Sequence, residues 1–122
     1  MVGMGAVLTE VVIDAEDPAA LAAWWAEVLG WATIEADDTG VEIGAPDGTK
    51  PTLVFVPVPE AKAGKNRIHL DVNPAGCDQA EELFRLRSLG AVDADVGQGE
   101  ETWHVLRDPE GNEFCLLRRR VG

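Results

Sequence analysis

The chain has 122 residues and a mass of 13.1 kDa, enough for one ordinary domain, and its hydrophobic content of 46% excludes wholesale disorder. Ten basic residues stand against twenty-two acidic ones, and the net charge of −12 repels phosphate backbones and anionic lipid, which excludes nucleic acid and a membrane surface as partners. No apolar run approaches the ~18 residues of a membrane span, the N-terminus has no basic, apolar leader, and Cys77 and Cys115 form no CxxC pair, so a cytoplasmic chain with free thiols is expected.

Residues 6–15 carry Val7, Leu8, Val11, Val12 and Ile13, a β-branched run of strand length. Asp17-Pro18 follows as helix cap and first helical residue. Leu21, Trp24, Trp25 and Val28 then recur with helical spacing, and Gly30 ends the helix. Strands are predicted at 31–36, 41–45 and 52–58, separated by Asp37-Asp38-Thr39-Gly40 and Pro46-Asp47-Gly48-Thr49, both turn sequences. The first half therefore reads β-α-β-β-β.

A polar loop leads to a strand at 67–72. Asp78 is placed to cap a second helix whose apolar side is Ala80, Leu83, Phe84 and Leu86, with Gly90 at its end. Strands follow at 91–96 and 102–107, with a turn at 97–101 between them. Asp108-Pro109-Glu110-Gly111-Asn112 is a tight turn in which Gly111 and Asn112 can take positive φ, and the last strand is 113–118. The second half again reads β-α-β-β-β, with half-units at about 6–58 and 67–119. Three strands in succession between helices favour mixed sheets of the α+β class over a parallel sheet. One helix covers one sheet face, so the other faces are free to line a cup.

Three features resemble the vicinal oxygen chelate superfamily of glyoxalase I, bleomycin-resistance proteins, extradiol dioxygenases and fosfomycin-resistance enzymes. They are Asp17-Pro18 followed by Trp24-Trp25 and Leu29-Gly30-Trp31, the segment His69-Leu70-Asp71-Val72, and the closing Arg107-Asp108-Pro109-Glu110-Gly111-Asn112-Glu113-Phe114-Cys115. The resemblance covers nearly the whole chain and is similar to the bacterial glyoxalase-like proteins. It implies tandem β-α-β-β-β units forming a mixed-sheet cup, a small-molecule ligand and a homodimer.

In metal-dependent relatives the opening and closing strands of the halves supply ligands to a Lewis-acid site. The matching positions here are Glu10, His69 and Cys115, with Phe55 at the remaining one. A carboxylate, an imidazole and a thiolate suit zinc better than cations that favour oxygen and nitrogen. The plainer expectation is no metal: Cys115 is a small buried residue and His69 a hydrogen-bonded one. Glu113 stands two positions early for the family's glutamate.

Alternation places Trp103, Val105 and Arg107 on the cup side of their strand and His104 on the other. The expected ligand site is therefore Phe55, Arg67, Trp103, Val105 and Cys115, suited to an apolar or aromatic molecule, with Arg67 available to an anionic group. Glu10 and His69 are the acid–base candidates. The expected function is a glyoxalase-like binding protein. A metal-dependent lyase or dioxygenase and a metal-free proton-transfer enzyme using Glu10 and His69 are the alternatives.

Overall fold

The computed structural model describes residues 3–94 and 102–122. The chain divides into two compact units, Met1–Ala61 and Lys62–Gly122. The turn expected at 97–101 and the end of the strand expected at 91–96 lie outside the described residues.

In the first unit the order is β1 (Glu10–Ala15), α1 (Pro18–Leu29), β2 (Ala32–Asp37), β3 (Gly40–Gly44) and β4 (Thr52–Pro57). The sheet order is β1-β4-β3-β2, with β1 and β4 parallel and the other neighbours antiparallel. The α1 caps act as the sequence predicts. Asp17 accepts from the Ala20 amide at 3.1 Å, and Gly30 takes the left-handed conformation with φ 67°. Leu21, Ala22, Trp25 and Val28 are buried, and the helix packs on β3 and β4. The adjacent tryptophans divide as their angular separation requires. Trp25 is core and Trp24 half-buried, with their rings edge-to-face at 5.1 Å.

The second unit repeats this plan with β5 (Leu70–Val72), α2 (Gln79–Ser88), β6 (Val92–Asp93), β7 (His104–Arg107) and β8 (Glu113–Leu116). Its sheet order, β5-β8-β7-β6, again has its first pair parallel and the rest antiparallel. The repeated α+β architecture is thus present, with two mixed sheets rather than one parallel one.

Helix α2 opens on a capping box. Asp78 accepts from the Glu81 amide at 2.9 Å while the Glu81 side chain accepts from the Asp78 amide. Leu83 and Leu86 are buried, but Phe84 is 76% exposed and Ala80 is also exposed. Phe84 therefore does not belong to the apolar side. The buried line runs through Glu82, Leu83 and Leu86, and Phe84 stands off it above Ala80.

The Asp108–Asn112 turn closes differently from the expectation. Gly111 takes positive φ, 87°, and among the described residues no other residue type does. Asn112 works through its side chain instead, donating to both carboxylate oxygens of buried Asp108, at 3.2 and 2.9 Å. The same carboxylate accepts from the Glu110 and Asn112 amides. The turn sets the β7–β8 register, with Val105 opposite Cys115 and Arg107 opposite Glu113.

Candidate functional site

The second unit holds a cavity of about 460 Å³ lined by Lys65, His69, Asp71, Trp103, Val105, Glu113, Cys115 and Leu117. Strand parity makes it. Leu106, Phe114 and Leu116 share one face of the sheet and are 0–1% exposed. The residues between them turn to the opposite face and form the cavity. Val105 and Cys115 sit at its base with Ala94 and Leu117 against them. Trp103, just ahead of β7, presents a partly exposed ring. His104 lies off the lining, on the Leu116 side of the sheet.

Three side chains of types able to ligate a metal converge on this face. Asp71 of β5 is in register with Cys115 of β8, and His69 precedes Asp71 by two positions and so shares its side. His69 Nδ1 lies 3.3 Å from Asp71 Oδ1 and 3.9 Å from Cys115 Sγ. Donor atoms of all three residues lie within 4.8 Å of one another, with Cys115 buried and the other two exposed. Burial pushes the Cys115 thiol above its ordinary pKa, the charge and hydrogen bond of Asp71 push it further, and Lys65 offsets this in part. These influences favour the neutral thiol over the thiolate.

Glu113 also faces the cavity and is only 5% exposed. It pairs with Lys62 at 3.0 Å and accepts from the Asn66 amide at 3.2 Å. Burial raises the Glu113 pKa, but the hydrogen bonds from Lys62, its own backbone and Asn66, with the Lys62 charge, hold it below the ordinary glutamate value.

The structure distributes the sequence candidates between the two units. His69, Trp103, Val105 and Cys115 meet around the cavity. Arg67 is exposed and outside the lining, where Lys65 supplies the cationic group instead. Glu10 is exposed at the start of β1 in the first unit, opposite Thr52. The carboxylate beside His69 is Asp71 of its own unit.

Phe55 is a core residue at 0% exposure, in register with Ile13 and Val41. Its strand neighbours Val54 and Val56 take the opposite face, so alternation aims Phe55 into the core of the first unit and not into a ligand cavity. Lys65 and Glu113 are the lining residues that sequence reasoning did not place at the site, while Asp71, two positions from His69, shares its face.

The donor set can be tested against the metal that the resemblance implies. Tetrahedral zinc, with bonds of about 2.0–2.1 Å to nitrogen or oxygen and 2.3 Å to sulfur, needs N···O of roughly 3.4 Å and N···S of roughly 3.6 Å. The observed 3.3 and 3.9 Å match that spacing closely. A thiolate in the set suits zinc and other soft cations and does not suit magnesium or calcium.

A profile of the glyoxalase-like domain matches residues 10–117. No curated protein sequence matches the chain. Among solved structures, fosfomycin resistance protein FosX from Mesorhizobium loti is 16% identical with a TM-score of 0.71, covering 93% of this chain and 92% of its own. A glyoxalase/bleomycin resistance protein/dioxygenase family enzyme from Burkholderia phytofirmans PsJN is 19% identical with a TM-score of 0.67, over 91% and 97%. Oxidase ChaP-H2 is 19% identical with a TM-score of 0.65, over 98% of both chains. At these identities the likeness is one of fold.

Proposed function

This chain belongs to the glyoxalase-like domain family, and on that premise we propose that it binds a small, planar organic molecule in the cavity of its second unit. The observation that carries the reading is the cavity itself. Its volume of about 460 Å³ falls in the range of small-molecule sites, and it joins an apolar base to a few convergent polar groups. Val105, Leu117 and the Trp103 ring supply apolar contact, and Trp103 offers a face for stacking. Lys65 is the lining cation, so an anionic substituent on the ligand has a partner. The solved relatives that carry fosfomycin resistance and oxidase names support small-molecule chemistry as the class.

The test is a thermal-shift screen of planar aromatic acids, followed by calorimetric titration of the hits. Trp103→Ala is expected to weaken a hit about tenfold, since stacking contributes roughly 0.5–1.5 kcal/mol beyond the buried area itself. Lys65→Met is expected to weaken the acid selectively against its uncharged amide. Hits that bind the Trp103→Ala variant with undiminished affinity would overturn the reading.

A further inference from the structure

Resting on the small-molecule reading above, we infer that Glu113 is a positioning residue for anionic ligands. It clamps residues 62–66 as a strap on the second unit, so that Lys65 is held at the cavity for the ligand's anionic group.

Residues 62–66 form no helix or strand, and Gly64 at their centre has φ 72°. A polar segment of this kind gains little from its own backbone and depends on ties to the folded unit for a fixed path. Both carboxylate oxygens of Glu113 provide such ties. Lys62 Nζ donates to Glu113 Oε1 at 3.0 Å, and also to the Gly64 carbonyl. The Asn66 amide donates to Glu113 Oε2 at 3.2 Å, and the Asn66 side chain donates to Asn112 Oδ1 at 3.1 Å. Asn112 is itself fixed, because its side-chain nitrogen donates to both oxygens of buried Asp108. The strap is thus fastened to the closing turn and to the first residue of β8, on either side of Lys65.

Lys65 lines the cavity between those fastened points, with an exposed side chain. An ammonium on a flexible four-carbon stem loses rotamer freedom when it pairs with a ligand, and a fixed backbone beneath it lowers the ordering cost of binding. Charge alone acts in the other direction. Glu113 is an anion in the lining, and through space it disfavours a second anion. As a clamp and as a charge, Glu113 therefore has opposite effects on an anionic ligand.

Wild type and variants are titrated by calorimetry with naphthoate and with its uncharged amide. Wild type is expected to prefer the acid. Glu113→Gln offers one acceptor oxygen to the two donors that the carboxylate now serves, so one tie must break. It should weaken the acid about tenfold, the order expected for losing a hydrogen bond to a charged group, and leave the amide unchanged. Asn66→Ala keeps every charge and removes only the tie to Asn112. It should weaken the acid in the same selective way, and it decides the matter if Glu113→Gln, at a 5% exposed position, fails to fold by circular dichroism. Amide hydrogen exchange of residues 62–66 should accelerate in both variants. A wild type that binds neither probe overturns the small-molecule reading and this inference with it. A wild type that binds the amide as tightly as the acid overturns this inference alone. So does a folded Glu113→Gln variant that keeps or strengthens the acid preference, an equal weakening of acid and amide, or unchanged exchange in the strap.

Discussion

Glu113 is a carboxylate held out of water at 5% exposure, and Lys62, itself 19% exposed, is its cationic partner. Removing one member of a buried pair strands the other, at a cost of about 3 kcal/mol or more. Lys62→Met is therefore expected to lower unfolding stability by about that amount at pH 7, measured by urea denaturation. The pH dependence follows from the depressed Glu113 pKa. Its stabilisation is complete above the ordinary glutamate value of about 4.3 and is lost as pH falls through the lower value of the folded protein. The gap between wild type and Lys62→Met should shrink across that acid window. A constant gap would show that Lys62 acts by packing alone. At this scale the sequence was partly legible. Along β7, Val105 lines the cavity and His104 lies on the other side, the division that strand alternation requires. Alternation misdirects Phe55, because it fixes only that neighbours differ in side, not which side the helix will cover.

At the scale of elements, local chemistry decides a great deal. The α1 caps, the α2 capping box and the Asp108–Asn112 turn all form from residues a few positions apart. The turn has a further role, because its register brings Cys115 opposite Val105 at the base of the cavity. Asp108 is 4% exposed and accepts from two backbone amides and one side-chain amide. Hydrogen bonds to a charged group contribute about 1.5–3 kcal/mol each, and unpaired buried donors add to their loss. Asp108→Ala should cost at least about 2 kcal/mol by chemical denaturation, and a loss under about 0.5 kcal/mol would contradict this account of the turn. Strand lengths were the less legible part. The strand expected at 67–72 is only Leu70–Val72, since pairing with the short β8 limits how far the ladder extends.

For the whole molecule, the dominant quantity is still the charge of −12. The family resemblance implies a homodimer, and Ile68, Phe84 and Val92 are large apolar side chains 61–80% exposed in the second unit. Two copies bearing −12 each repel one another, so association should strengthen with ionic strength. Light scattering is expected to give twice the 13.1 kDa chain mass at micromolar concentration, with the dimer favoured by added salt. A chain that stays monomeric across that range would remove the dimer. The duplicated topology shows what a shared fold leaves open, since the parallel pair β1–β4 buries Phe55 in the core of the first unit while β5–β8 sets Asp71 opposite Cys115 on the cavity side of the second.

By itself the sequence determined the repeated β-α-β-β-β order, the helix caps, the closing turn and the side-by-side alternation along β7. Each of these depends on backbone geometry and hydrogen bonds within a few residues. Tertiary structure alone decided which strands became neighbours and which face each helix covered. His69 and Cys115 lie 46 positions apart in the chain and come within 3.9 Å because β5 pairs with β8. Phe55 went to the core for the corresponding reason, since burial of apolar area chooses the covered face and no local pattern encodes that choice.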